Sequence, residues 1–138
     1  MSADAANKKL LITVRINEYV SRELNKNVPF TPEEIAETAA ECRAAGASIV
    51  HFHARNDDGS PCHEPAVYAE CVRRIRAKTD ILIDSTLGVE KIKKDEDRLA
   101  HIRLMGRNAE TCPDFAAVDT GSTNLDAYDR AGIGRAHV

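Results

Sequence analysis

The stretch TPEEIAETAAECRAAGASIVHFHARNDDG, Thr31 to Gly59, reads as a helix, a turn and a strand in that order. Thr31 is placed to cap the helix, Pro32 takes its first position, and Glu34 closes a capping box. Gly46 supplies the residue that ends it. ASIVHFHA, residues 47–54, is an apolar, β-branched run and reads as a strand. Asp57, Asp58 and Gly59 read as turn formers.

The same unit recurs on both sides. LLITVRI, Leu10 to Ile16, is a strand ahead of the helix. EPAVYAECVRRIRAKT follows as a helix, with Val67, Cys71, Val72 and Ile75 at helical spacing. DILIDSTLG is a third strand, Leu99, Ile102 and Met105 mark a third helix, and DFAAVDTGS is a fourth strand. Strands joined by helices are expected to be parallel. The fold class is therefore α/β, with about four βα units. Two architectures compete: a doubly wound open sheet, and part of a (β/α)₈ barrel, whose full form needs about 250 residues. In either, residues at the strand C-termini build the site. Here those are Asn17 and Glu18, His51 to Arg55, Asp84 to Thr86, and Asp119 to Asn124.

Composition narrows the function. Apolar residues are 43% and charged residues 30%, an ordinary globular balance. A net charge of −3 with 4% aromatics argues against nucleic-acid binding. No apolar run reaches the length of a membrane span. Residues 1–9 are polar, lack an apolar signal core and are expected to be a disordered tail. Cys42, Cys62, Cys71 and Cys112 form no CxxC pair and read as reduced thiols of a cytoplasmic protein, Cys42 and Cys71 being buried.

His51, His53 and Arg55 alternate, so they share one face near the end of their strand. Two such imidazoles can be a hydrogen-bonded buried pair, or they can converge on a divalent metal ion. Catalytic zinc wants three protein ligands and an open position. Cys62, His63 and Glu64 in the next loop could supply the third. Gly132 and Gly134 form no dinucleotide site, because no strand is expected before them and no helix after.

PFTPEEIAETAAECRAAGASIVHFHARNDDG, then DSTLG, then DTGSTN, together resemble the N-terminal half of the β-keto acid cleavage enzymes. The resemblance covers Leu10 to Asp126, leaving 127–138 as an atypical C-terminal tail. It implies a TIM barrel in a homo-oligomer, usually a tetramer. It implies a divalent metal, typically Zn²⁺, on His51 and His53, completed by a glutamate far downstream. The implied reaction joins a β-keto acid and acetyl-CoA to give acetoacetate and a new acyl-CoA. The implied substrate contacts are Glu18, Ser85, Ser122 and Asn124. A Claisen-type step develops charge on a keto oxygen, which a Lewis-acidic ion stabilises. Members of that family are about twice as long, so a truncated chain needing self-association or a complementing half is expected. A non-catalytic metal-binding or assembly fragment, and an unrelated metal-dependent hydrolase with the same H-x-H strand, are the alternatives.

Overall fold

The computed structural model describes residues 9–18, 20–86 and 99–117, together with the backbone of Thr123–Tyr128 and Gly134–His137. Helix α1, Pro32–Ala44, begins as its sequence dictates. The Glu34 N–H donates to Thr31 Oγ1, and the Glu34 carboxylate accepts from the Thr31 and Phe30 N–H groups at 2.9 and 3.0 Å. At the other end Gly46 takes φ +103°. The Gly46 N–H then reaches Arg43 O and the Ala47 N–H reaches Cys42 O, both at 3.0 Å. That pattern satisfies the last carbonyls of the helix and turns the chain into the next strand.

Four strands form one sheet: β1, Thr13–Arg15; β2, Ile49–Phe52; β3, Leu82–Ser85; and β4, Phe115–Ala116. They lie in the order β1-β2-β3-β4, every pair parallel. Helix α2, Pro65–Lys78, connects β2 to β3, and the short α3, Ala100–Met105, precedes β4. The expected β-α-β alternation and parallel sheet are present. The strands are shorter than the apolar runs that announce them. Leu10 and Leu11 are 82% and 70% exposed because β2 offers pairing only from Ile49 onward.

Side chains alternate across each strand. Val50, Phe52 and Ile83 point to one side and are fully buried against Ile35, Ala36 and Ala39 of α1 and Tyr68, Cys71, Val72 and Ile75 of α2. On the opposite side Leu82 is 39% and Phe115 48% exposed. Among the described residues, the apolar core and the helices thus occupy one face of the sheet. Cys71 is buried as expected, while Cys42 is half-buried, and all four thiols are free. Among the described residues no helix is long and apolar enough to cross a membrane.

The region after β4 departs from expectation. Thr123–Tyr128 and Gly134–His137 form an antiparallel pair, β5 and β6, in a separate sheet. A strand therefore does precede Gly132 and Gly134, and a strand rather than a helix follows.

Candidate metal centre at the strand ends

Register builds the site. Arg15 of β1 stands opposite His51 of β2, and His51 stands opposite Asp84 of β3. The three therefore share one row on the face away from the helices. Asp84 Oδ2 lies 3.0 Å from His51 Nδ1. An ionised carboxylate only accepts, so His51 donates from Nδ1 and its Nε2 keeps a free lone pair. That Nε2 points at His53 Nε2, 3.2 Å away.

His53 lies one residue past the end of β2, held there by Asn17. The Asn17 side chain accepts from the His53 N–H and donates to the His53 carbonyl, both at 2.8 Å, and also donates to Pro29 O at 3.1 Å. Asn17 is only 2% exposed. Its neighbour Glu18 is thereby fixed beside His53, with Glu18 Oε2 3.4 Å from His53 Nε2. Arg15 holds the other carboxylate oxygen, Oε1, at 2.8 Å. One donor atom from each of Glu18, His51 and His53 lies within 4.8 Å of the other two, the only such group of three metal-capable residues among the described residues.

Burial first, and then neighbouring His51, push the His53 imidazole down to about 4, against the opposing pull of Glu18. At neutral pH His53 is an uncharged ring, the form that ligates metals. The spacing suits one ion. Tetrahedral zinc with bonds of roughly 2.0–2.1 Å sets adjacent donors about 3.3–3.4 Å apart. Of the three donor pairs, His51–His53 and Glu18–His53 stand 3.2 and 3.4 Å apart, and the third lies within 4.8 Å.

The other candidates fall elsewhere. Cys62 is buried in the apolar core, and Glu64 is exposed as the N-cap of α2. Neither they nor His63 join the cluster. The loop between closes on itself through an Arg55–Pro61 bridge and an Asn56–Gly59 turn, which carries these residues toward α2. Gly59 has φ +81°, and a Cβ there would collide with the Phe30 ring. Arg55 serves structure: it donates to Asn17 O at 2.6 Å and to Gly59 O at 2.8 Å. Ser85 is fully buried, and its Oγ has no hydrogen-bond partner among the described residues. Strand alternation sets it on the helix side with Ile83, opposite from Asp84. Ser122 lies outside the described residues. Asn124 lies within strand β5 rather than in a turn after β4, and its side chain is outside the described set. Asn17 and Asp84 were recognisable only as polar residues at strand ends; their roles depend on register between strands.

A parallel βα sheet with imidazole and carboxylate donors gathered at its C-terminal edge defines a class of α/β proteins built to carry a site there. Within that class the chain belongs to the beta-keto acid cleavage enzyme family, whose sequence profile matches residues 9–135. It is 37% identical over 120 residues to the 3-keto-5-aminohexanoate cleavage enzyme of Fusobacterium nucleatum, covering 86% of this chain and 42% of that protein. The enzyme of the same name from Acetoanaerobium sticklandii is also 37% identical over 120 residues, covering 86% and 41%. The 3,5-dioxohexanoate:acetyl-CoA acetone transferase of Paraburkholderia graminis is 32% identical over 126 residues, covering 90% and 39%. The chain thus spans about two fifths of the length of these relatives.

Proposed function

We propose that this chain carries the metal-holding part of an acyl-exchange centre acting on a β-keto acid and acetyl-CoA. The observation that carries the reading is the convergence of Glu18, His51 and His53 at the strand ends of a family member. The names of the relatives support acetyl-CoA as co-substrate. The sequential strand order and the one-sided helix layer support a partial (β/α)₈ barrel over a doubly wound sheet, which carries helices on both faces. We place the protein in the cytoplasm, where free thiols persist, and in a homo-oligomer, for which the exposed Leu82 and Phe115 speak.

His51 and His53 would hold a divalent ion, and imidazole donors at tetrahedral spacing favour zinc. A bound ion supplies Lewis acidity toward the keto oxygen of the acid. Asp84 keeps the His51 proton on Nδ1, and Asn17 fixes His53 relative to the end of β1. The proposed substrate contacts are Ser85, Ser122 and Asn124, of which Ser85, buried on the helix side of β3, has to bring its hydroxyl round the end of the strand to reach substrate. Glu18 is placed either to face a substrate amino group or to meet the ion.

The test combines this chain with the segment of the Fusobacterium relative beyond the matched region. Acetoacetate formation from β-keto acids that requires acetyl-CoA and zinc, and is lost in His51→Ala, supports the reading. Hydrolysis without CoA would favour a metal-dependent hydrolase instead. Zinc binding with no turnover would leave a non-catalytic metal-binding module.

A further inference from the structure

We propose that His101 is a positioning residue for Ser85: its ring N–H pins the backbone just past β3, so that the Ser85 hydroxyl turns toward substrate by rotation of its side chain alone. The inference rests on the reading of Ser85 as a substrate contact and deepens it.

The end of β3 is held from two directions. The Ala117 N–H, just past β4, donates to the Ser85 carbonyl at 3.2 Å. One residue further on, His101 Nε2 in α3 lies 2.7 Å from the Thr86 carbonyl. A carbonyl only accepts, so the ring proton sits on Nε2. Burial, against the opposing pull of the Thr86 carbonyl, holds the His101 imidazole below its ordinary value. At neutral pH the ring is therefore uncharged, and its single N–H is committed to that carbonyl. The ring is itself fixed. It is 3% exposed and stacks on Tyr68 of α2, with centroids 4.4 Å apart and planes at 29°. The Tyr68 ring lies 5.8 Å from that of Phe52, and Phe52 is the register partner of Ser85 across β2 and β3. The contacts thus run from Ser85 through Phe52, Tyr68 and His101 back to Thr86, a closed circuit around one strand end.

Ser85 is the member of that circuit with an unused polar group. It is fully buried, and its Oγ has no hydrogen-bond partner among the described residues. A buried hydroxyl left in this way costs free energy, which an acceptor from a ligand would recover. To meet one, Oγ has to pass from the helix side to the strand end. With the Ser85 and Thr86 carbonyls both held, the backbone does not turn with it, and the hydroxyl arrives at a defined place. Packing on Tyr68 needs only a flat ring at position 101. An N–H aimed at the backbone beside Ser85 is the feature that packing does not require.

Two variants separate the N–H from the ring. His101→Phe keeps a ring on Tyr68 and removes the donor, whereas His101→Gln keeps a donor N–H and loses the stack. In the chain alone, backbone order parameters of Ser85 and Thr86 from ¹⁵N relaxation should be about 0.85 in wild type and His101→Gln, and fall toward about 0.6 in His101→Phe. In the complemented acyl-exchange assay His101→Phe should lower kcat/KM about 10–100-fold, as a misplacement of about 1 Å does, while His101→Gln stays within about 3-fold of wild type. With Ser85→Ala already in place, His101→Phe should cost no more than about 2-fold further, because the two residues act as one unit. A histidine that only packs would give the opposite pattern: His101→Phe near wild type, His101→Gln impaired, and losses that add to those of Ser85→Ala. Unchanged order parameters in His101→Phe, or additive losses, overturn the proposal. Absence of turnover from every complemented protein overturns the functional reading, and the order parameters then decide by themselves whether His101 holds this strand end.

Discussion

Replacing Asn17 by alanine isolates the contact on which the site is hung. The side chain makes three hydrogen bonds while 2% exposed. Removing it leaves the His53 N–H, the His53 carbonyl and the Pro29 carbonyl without their partner. Each buried polar group left unpaired costs about 1–3 kcal/mol. Water entering the vacated volume recovers part of this, since His53 is 7% rather than 0% exposed. The expected loss is therefore about 3 kcal/mol, a large share of the roughly 5–15 kcal/mol that holds a domain together. Asn17→Asp separates shape from chemistry. It keeps the acceptor for the His53 N–H but sets a carboxylate against two carbonyl oxygens, so a loss of about 2 kcal/mol or more is expected. Urea unfolding measures both, with an unchanged slope indicating that the denatured state is the same. If Asn17→Ala unfolds within about 0.5 kcal/mol of wild type, the range of ordinary surface substitutions, the claim that Asn17 ties the first two strand ends together is wrong.

Three further outcomes follow from the same structure. His51→Ala and His53→Ala should each reduce bound zinc to background in elemental analysis, and metal content equal to wild type would remove the basis for a metal centre. Glu34→Ala should cost about 1 kcal/mol at neutral pH, through loss of the capping box. The backbone N–H of Thr31, foremost, holds the Glu34 carboxyl down to about 2 from its ordinary 4.5. A depressed folded value means that this contribution is complete above pH 4.5 and disappears as pH falls from 4.5 toward 2. A wild-type-to-variant gap that stays constant across that window in acid titrations of stability would contradict the assignment. The chain alone should self-associate in sedimentation, because Leu82 and Phe115 stand open on the sheet face without helices. A compact monomer with cooperative unfolding would argue against a half-barrel.

Helix α1 was fully legible, because its signals act within one turn of the chain. Thr31 and Glu34 bond each other's backbone, and Gly46 needs only its own conformational freedom. The H-x-H pair was legible by the period of a strand. Glu18 was visible as a strand-end acid, but its approach to His53 was not. That approach depends on the register of β1 on β2 and on the 36-residue separation that Asn17 spans in bonding to His53. Cys62, His63 and Glu64 show the opposite case. Nearness in sequence favoured them, yet the turn at Asn56–Gly59 and the start of α2 take Cys62 into the core and leave Glu64 in solvent. The strand lengths were overread for a similar reason. An apolar run such as Leu10 to Ile16 records what can extend, while the partner strand decides where pairing begins.

The face that carries the site also explains its composition. Arg15, His51, Asp84 and Phe115 form one row across the four strands, with Thr13, Ile49 and Leu82 one level below. A row of this kind on the helix side would be apolar, as Val50 and Ile83 are. Here charge and imidazole interrupt it at the level nearest the strand C-termini, while Leu82 and Ile49 keep the level beneath apolar. Polar groups at that upper level satisfy one another: His51 with Asp84, Glu18 with Arg15 and His53. An exposed surface needs no such pairing, because water would supply it. The pairing, together with His51 and His53 at 6% and 7% exposure on an otherwise open face, is the arrangement expected of a site shaped to exclude water from its donors before a ligand arrives.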